Sequence, residues 1–308
     1  MKETDPLFTE AWTLSRSFYG SDITFYQPGM FVVDGIRGAY PAASITGFNC
    51  ELNCDHCSGK LLENMFPCTD GDDLVSFAKR AEARGDKGIL VSGGCDQQGS
   101  LPWPKFTEAI RQIKNETNLV VTVHTGQIDS NQAQELKDAG VKQALIDVLG
   151  SDSTAREVFH LAEGIAPILR SLDALYSAGL EVVPHIVYGI HYGREKGETK
   201  ALEIISNYPI KKYVIVVFTP LKGTRMSLIK SASPANVANF IARARIMLPQ
   251  MKCSLGCARP GGNYRKELDK LAIKAGINSL AVGSDEAILE AKRLGLNVVR
   301  KFTCCSLD

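Results

Sequence analysis

The chain has 308 residues, of which 44% are hydrophobic and 22% charged, a composition that is ordinary for a globular protein and excludes a disordered one. Its 35 basic and 34 acidic residues give a net charge of +1, which favours neither nucleic acid nor a membrane surface as a partner. No run approaches 18 apolar residues and the chain opens with polar and acidic residues, so we expect no transmembrane helix, no signal peptide and a cytoplasmic location.

Strand-like and helix-like segments alternate along the chain. Runs of β-branched residues predict strands at 43–48, 88–92, 119–124, 144–149, 181–187, 213–219, 252–256 and 279–282. Helical spacing predicts helices at 70–84, 105–116, 130–139, 157–178, 196–207, 234–248 and 264–275. A further helix at 284–294 leads to a last strand at 296–302.

Eight such strand and helix units predict an α/β fold with a parallel sheet, closed as a (β/α)8 TIM-type barrel. Glycines that follow the predicted helices, such as Gly140 and Gly179, suit the left-handed residue at a helix C-terminus. We expect a single domain with three parts. They are an N-terminal extension over 1–40 that caps the barrel, the barrel itself over 41–283, and a C-terminal helix with a cysteine-containing tail over 284–308.

The cysteines are unusual in number and in spacing. The count of nine is odd, and seven of the nine lie in tight clusters, which argues against a disulfide framework and indicates metal ligation or redox chemistry. We expect the two isolated cysteines not to be ligands. The nine are Cys50, Cys54, Cys57, Cys68, Cys95, Cys253, Cys257, Cys304 and Cys305.

The strongest motif is the run Cys50-Glu-Leu-Asn-Cys54-Asp-His-Cys57, which directly follows the first predicted barrel strand. Loops at that end of a barrel strand carry the chemistry of such folds. Three thiolates at this spacing can ligate a [4Fe–4S] cluster and leave one iron open to a small molecule. The alternative is a tetrahedral zinc site built with the pair Cys253 and Cys257, which would give Cys50 no role.

A CxxxCxxC motif after the first barrel strand resembles that of the radical S-adenosylmethionine (radical SAM) superfamily. The resemblance implies that Cys50, Cys54 and Cys57 ligate the cluster and that the open iron binds the methionine portion of S-adenosylmethionine. It also implies that the reduced cluster cleaves this molecule to a 5′-deoxyadenosyl radical, so an electron donor is required.

Three further residues are implicated by the same resemblance. Gly93 and Gly94 stand where the superfamily has a Gly-Gly-Glu motif beside the methionine amine, although Cys95 replaces the glutamate and Asp96 would have to compensate. His56 stands where an aromatic residue often lies near the adenine. The alternatives are a tight turn made by the two glycines and a solvated loop histidine.

Within the superfamily, segments 123–141, 170–190 and 275–279 are similar to biotin synthase in order and spacing. In that branch, polar residues at the ends of the fourth and fifth strands face the methionine and the ribose. The resemblance therefore implies that Asp147 and, nearby, Asp152 are the corresponding cofactor-binding residues. Asp152 could instead cap a helix, whereas an unpaired Asp147 in an apolar strand would be costly. The histidines at these strand ends are expected to be structural.

The C-terminal cysteines predict a second metal site. Cys253, Cys257, Cys304 and Cys305 could hold an auxiliary [4Fe–4S] cluster, for which Ser306 is another ligand by comparison with lipoyl synthase. The alternatives are incidental thiols in the tail and a buried apolar Cys253.

Two clusters indicate sulfur insertion, and the run 57–65 resembles a component of the two-protein lipoyl synthase. This resemblance implies a sulfurtransferase acting on an octanoyl chain of a carrier protein, such as glycine cleavage H protein, or of a peptide, with a second radical SAM subunit as partner. The alternatives are a radical SAM cofactor-maturation or carbon-skeleton enzyme without sulfur insertion, and a non-catalytic metal-binding scaffold.

Overall fold

A computed structural model describes residues 5–33 and 35–307, so residues 1–4, 34 and 308 of the predicted extension and tail lie outside the described residues. The strands are β1 Asp22–Tyr26, β2 Val32–Val33, β3 Ile36–Arg37, β4 Ala42–Ser44, β5 Phe66–Pro67, β6 Gly88–Ser92, β7 Val120–His124, β8 Gln143–Asp147, β9 Glu181–Tyr188, β10 Lys212–Val217, β11 Lys252–Leu255, β12 Ser279–Ala281 and β13 Asn297–Lys301. The α-helices are α1 Pro6–Tyr19, α2 Gly71–Ala83, α3 Thr107–Glu116, α4 Ser130–Asp138, α5 Asp152–Val158, α6 Ala166–Ser177, α7 Glu198–Ser206, α8 Pro234–Met247, α9 Gly262–Lys274 and α10 Asp285–Arg293. Short 3-10 helices span Lys60–Asn64 and Trp103–Lys105.

Eleven parallel strands form one curled sheet in the order β13-β1-β12-β11-β10-β9-β8-β7-β6-β4-β5. This half-barrel of the TIM type confirms the predicted fold class. The sheet is not the regular closed ring of eight strands, because its two ends are β13 and β5. A hydrogen bond of 2.7 Å from the Ala39 amide to the Phe302 carbonyl nevertheless links the chain before β4 to the chain after β13.

The N-terminal region contributes a strand to this sheet. β1 lies between β12 and β13, with Thr24 opposite both Ser279 and Val299. Ile23 and Phe25 are buried in the core. The cap expected from residues 1–40 is therefore in part a strand of the sheet itself, because this short segment buries its apolar residues between two neighbours.

One long predicted helix is two helices in the structure. The segment 157–178 was expected to be continuous, but α5 ends at Val158 and α6 begins at Ala166. His160 and Gly164 between them have positive φ values of 59° and 69°. Pro167 in the first turn of α6 is compatible only with a helix start, so a new helix begins there.

The core has an outer and an inner part. The outer part fills the space between the sheet and the helices and contains alternate strand residues such as Ala144 and Ile146. The inner part lies on the opposite face of the sheet, inside the barrel, where Leu145 and Val183 belong to one buried cluster with Cys304 and Cys305 of the tail. The C-terminal tail therefore turns back and fills the barrel interior.

Hydrogen bonds fasten the tail at the N-terminal ends of the strands. Gln143, the first residue of β8, donates to the Ser306 carbonyl at 3.2 Å. Lys212, the first residue of β10, donates to the Leu307 carbonyl at 2.7 Å. The opposite end of the barrel is thus left to the loops that follow the strands. Within the described residues, none of the helices has the length and apolar character needed to cross a membrane.

Candidate functional site

A cavity of about 240 Å³ lies at the C-terminal ends of the strands. Strand ends supply Ser92, His124 and Asp147 to its wall, and the loop after β4 supplies all three cysteines of the motif. Parallel strands bring their carboxyl ends to one edge, which is why residues distant in sequence meet here. The cavity therefore lies at the C-terminal face of the barrel, beside the cysteine motif, where the sequence predicts the functional site.

The cysteine loop, residues 45–59, folds into tight turns that direct its thiols inward. Asn53 and Ser58 have positive φ values of 44° and 46°, and the Cys57 amide donates to the Cys54 carbonyl at 3.2 Å. Cys54 and Cys57 are buried, and all nine cysteines of the chain are free thiols. The ligand atoms of Cys54, His56 and Cys57 lie within 4.8 Å of one another.

The buried thiols of Cys54 and Cys57 are hydrogen-bonded to each other, which shifts their pKa values in opposite directions. The hydrogen bond between the two thiols, together with burial and the nearby charge of Cys50, raises the pKa of Cys54 far above the usual thiol range. The same hydrogen bond from Cys54, assisted by His56, lowers the pKa of Cys57 to about 4. The pair thus favours a thiolate at Cys57, and a thiolate is the form that binds iron.

Gly94 is fitted against the cysteine loop. A Cβ atom on Gly94 would lie 1.9 Å from the Asn49 carbonyl oxygen and 2.6 Å from Cys50 Cβ, which no real side chain tolerates. The Gly94 amide also donates to Thr46 Oγ1 at 2.6 Å. At Gly93 the nearest atoms to a Cβ would be side chains at 3.1–3.3 Å. Close backbone approach, rather than a simple turn, thus explains the glycine at position 94.

His56 faces the cavity beside an aromatic side chain. Its ring centroid lies 4.9 Å from that of Phe159, with the rings tilted by 46°. Its Nδ1 atom is buried and has no hydrogen-bond partner among the described residues. A buried polar atom without a partner is costly, so this nitrogen is suited to a ligand that completes the site.

Asp147 lines the cavity, as the sequence indicates, and faces His124 Nε2 at 3.6 Å. Burial alone would raise the pKa of Asp147, but His124 and His185 outweigh it and hold this pKa below its usual value. Burial and the neighbouring His124 lower the pKa of His185 to about 4. The cavity wall therefore carries a carboxylate beside the His124 imidazole, and His185 packs behind it with its ring centroid 5.6 Å from that of His124.

Asp152 lies elsewhere. It occupies the first turn of α5, and its Oδ1 accepts the amide hydrogen of Ile165 at 2.9 Å, which joins α5 to the start of α6. The helix cap is Ser151, whose Oγ accepts from Thr154. The structure therefore does not bring Asp152 into the central cavity, because its carboxylate is used between two helices. Asp96 likewise serves a local turn, accepting from the amides of Gln98 and Ser100 at 2.9 Å.

The four C-terminal cysteines separate into two places. Cys257, Cys304 and Cys305 belong to the barrel interior. Cys253 is fully buried in the outer core, beside Tyr213 and Arg245, so the structure does not bring it to the other three. The reason is the alternation of β11, which places Cys253 with Leu255 on the helix-facing side.

Inside the barrel, Ser306 Oγ donates to Cys304 Sγ at 3.3 Å. The hydrogen bond from Cys305, with help from Ser306, lowers the pKa of Cys304 to about 6. Burial and the nearby Cys304 raise the pKa of Cys257. Ser306 is therefore adjacent to the tail thiols, a position that a serine ligand of a cluster at these thiols would need.

Sequence reasoning missed two parts of the site. Gln127 lines the cavity without having been singled out, and Cys95, noted only as a replacement for the superfamily's glutamate, lines it too. Their signal is weak, because each merely follows a strand end. Asp55, within the motif itself, was also overlooked, since its partners His160, Tyr192 and Arg225 lie more than 100 residues away.

The donor set fits a [4Fe–4S] cluster better than zinc. Three free thiols line the cavity, whereas Cys253 and Cys257, the second half of the zinc alternative, lie in two separate parts of the core. The unpartnered His56 nitrogen provides a polar contact for a small molecule in the cavity beside the thiols. A cluster with one iron left open has the same requirements.

The family model of the radical SAM superfamily matches residues 44–206, which is more than half of the chain. Biotin synthase from Geobacter metallireducens is 26% identical over 249 residues, covering 76% of this chain and 72% of that protein. Biotin synthase from Methanococcus aeolicus is 26% identical over 249 residues, with 76% and 73% covered.

Solved structures agree in fold. Methylornithine synthase superposes with a TM-score of 0.66 at 14% identity, covering 96% of this chain and 88% of that one. The FeFe-hydrogenase maturase from Carboxydothermus hydrogenoformans gives 0.65 at 15% identity, with 97% and 72% covered.

Proposed function

Because the chain belongs to the radical SAM superfamily, we propose that Cys50, Cys54 and Cys57 ligate a [4Fe–4S] cluster and that the cavity beside them binds S-adenosylmethionine. When bound, such a cluster supplies the electron that cleaves the sulfonium and gives a 5′-deoxyadenosyl radical. The single observation that carries this proposal is the set of three free thiols at the wall of one cavity on the C-terminal face of the barrel.

The other residues of the cavity bind and orient. Gly93 and Gly94 line the cavity, and the missing side chain at Gly94 lets the backbone there pack directly against the cysteine loop. Nδ1 of His56 is available to a polar atom of the ligand, and its ring offers a surface for the adenine. The Asp147 carboxylate, kept ionised by His124, is suited to accept hydrogen bonds from ribose hydroxyls or an ammonium group.

The thiols inside the barrel are the basis for proposing a sulfur-inserting activity. We propose that Cys257, Cys304 and Cys305 hold an auxiliary iron–sulfur cluster that donates sulfur, with Ser306 beside it. Support comes from their common location inside the barrel and from the lowered pKa of Cys304. Their atoms are not within single-ion distance of one another, but a cubane binds each thiolate at a different iron and does not require that.

The cavity lining supports an aliphatic substrate. Apolar side chains dominate it, and few polar groups interrupt them. We propose an octanoyl chain on a carrier protein, such as glycine cleavage H protein, or on a peptide. In this proposal the chain is one component of a lipoyl synthase that works with a second radical SAM subunit and a reducing electron donor. The apolar residues are Leu52, Leu61, Leu62, Met65, Leu101, Ile146, Leu149, Phe159, Leu161 and Ile168.

A second candidate function is a radical SAM cofactor-maturation or carbon-skeleton reaction without sulfur insertion. The observation in its favour is the separation of Cys253 from the three interior thiols, which leaves the proposed auxiliary cluster one cysteine short of four. A non-catalytic scaffold has no such support, since it would not need the pair of Asp147 and His124 in the cavity wall.

The iron content of an anaerobically prepared triple variant, Cys50→Ala with Cys54→Ala and Cys57→Ala, decides between the two reactions. Retention of about four irons per chain supports the auxiliary cluster. Adding Cys305→Ala should then remove that iron, whereas adding Cys253→Ala, the matched control, should leave it. A triple variant without iron contradicts sulfur insertion and favours the second candidate.

The substrate is tested on the intact pair of subunits. Octanoylated H protein is incubated with S-adenosylmethionine, a reductant, this chain and the second radical SAM subunit, and its mass is measured. Addition of sulfur to the octanoyl chain supports the proposal. Formation of 5′-deoxyadenosine without any mass change of the carrier contradicts the assigned substrate.

A further inference from the structure

Asp55 lies between two of the cluster ligands, yet its side chain contacts three distant loops. Its carboxylate accepts from Arg225 Nη1 at 2.7 Å and pairs with His160 Nε2 at 2.9 Å. Its second oxygen accepts from the Tyr192 hydroxyl at 3.1 Å. These partners come from the loops after α5, β9 and β10, so one carboxylate joins the cysteine loop to three other loops.

The backbone of Asp55 also makes hydrogen bonds to these distant loops. Its amide donates to the Val158 carbonyl at 2.9 Å, and its carbonyl accepts from the Met226 amide at 3.3 Å. Arg225 also donates to the Asn53 carbonyl at 3.3 Å. The peptide units on both sides of Cys54 are thus held from outside the cysteine loop.

Two of the partners adopt strained backbone conformations at the contact. His160 and Tyr192 have positive φ values of 59° and 49°, which are uncommon for residues other than glycine. His160 is further held by the hydrogen bond between its Nδ1 and the Leu52 carbonyl at 2.9 Å. Strain of this kind persists only where the surroundings fix the conformation, and it is concentrated at functional sites.

The two sides of the ion pair between Asp55 and Arg225 differ in solvent exposure. The Asp55 side chain is 13% exposed, whereas that of Arg225 is 56% exposed. A charged hydrogen bond to a largely buried carboxylate is stronger than a surface ion pair. Removing Arg225 would therefore weaken the network around Asp55, while the other partners would still satisfy the carboxylate of Asp55.

We propose that Asp55 is a positioning residue whose network with His160, Tyr192 and Arg225 fixes the cysteine loop in the geometry that binds the cluster and S-adenosylmethionine. Asp55 does not touch the substrate in this account; it acts through Cys54 and Cys57. The inference rests on the cluster proposed above for these cysteines. Asp55 is not a ligand of the proposed cluster, and the inference gives it the role of holding the ligands in place.

Amide hydrogen exchange on the full chain, purified anaerobically, tests this network directly. In Asp55→Asn and Arg225→Met, peptides covering 50–62 should exchange about tenfold faster than in the parent chain, because the loop opens more often. Peptides from β8 and β9 should be unchanged, which separates loop opening from global unfolding. Lys222→Met, an exposed lysine on the same loop as Arg225, is the matched control and should leave all peptides unchanged.

The iron-loaded chain provides a second measurement that a merely structural role would not affect. The spectral change of the reduced cluster on titration with S-adenosylmethionine should need a higher concentration in Arg225→Met. Arg225→Lys, which keeps the positive charge, should need a concentration of S-adenosylmethionine close to that of the parent chain. Loop exchange within twofold of the parent chain would overturn the inference, and so would faster exchange with an unchanged titration.

An iron count on the parent samples keeps this test separate from that of the proposed function. A parent chain that binds no iron would contradict the proposed cluster at Cys50, Cys54 and Cys57. The exchange rates of the loop would still decide whether Asp55 and Arg225 hold it.

Discussion

The substitution Gly94→Ala tests whether the backbone at this position is fitted to the cysteine loop. The added Cβ would lie 1.9 Å from the Asn49 carbonyl oxygen, 2.6 Å from Cys50 Cβ and 2.7 Å from Cys50 Cα. The loop would have to open by more than about 1 Å before that carbonyl reached 3.0 Å, the lower limit for real Cβ contacts. Metal–ligand distances tolerate only about 0.2 Å of error. Cys50 should therefore lose its place as a ligand.

The matched control is Gly93→Ala, where the nearest atoms to the new Cβ are side chains of Thr46, Leu101 and Ile45 at 3.1–3.3 Å. These can shift by a few tenths of an ångström. Iron and sulfide are counted after anaerobic reconstitution of both variants, and 5′-deoxyadenosine is measured by chromatography. We expect the cluster to be labile or incomplete in Gly94→Ala and intact in Gly93→Ala. Equal iron content and equal S-adenosylmethionine cleavage in both variants would refute the reasoning.

Three further predictions concern stability. Asp269→Ala should cost about 3–5 kcal/mol in urea unfolding, because it strands the fully buried Arg259, whose Nε donates to Asp269 at 2.8 Å; a loss below about 1 kcal/mol would contradict this. Glu290→Gln should cost about 1 kcal/mol at pH 7, since Arg293 and Lys274 lower the pKa of Glu290 from 4.5 to about 2. That contribution is present above about pH 4.5 and is lost as the pH falls towards 2, so the parent chain and the variant should converge in acid. Trp103→Phe should cost about 1–3 kcal/mol, because it removes the buried Nε1 donor to the Thr125 carbonyl at 2.9 Å, and unchanged thermal unfolding would exclude that role.

Local patterns in the sequence predict most of the elements. The strand expected at 88–92 is β6 without any change, and the helix expected at 234–248 is α8 with one residue less. In both segments the burial needed by the fold coincides with the periodicity of the apolar residues. The cysteine motif is equally local, since a loop after a barrel strand must lie on the C-terminal face.

Contacts between distant segments could not be predicted. The placement of β1 between β12 and β13 depends on pairing across about 250 residues of chain. The separation of Cys253 from Cys257 depends on the face of β11 that carries Cys253 and on the path of the chain after that strand, whereas their spacing alone suggests that they act together. The network around Asp55 joins residues that no motif relates, because its loops meet only once the barrel has formed.

The most direct test of the central claim is the formation of 5′-deoxyadenosine from S-adenosylmethionine by the anaerobic, iron-loaded chain with a reductant. We predict that the parent chain forms it, and that Cys50→Ala, Cys54→Ala and Cys57→Ala each abolish it, while Cys253→Ala does not. A parent chain that carries about four or more irons but forms no 5′-deoxyadenosine would contradict the account. Undiminished formation in any of the three motif variants would do the same.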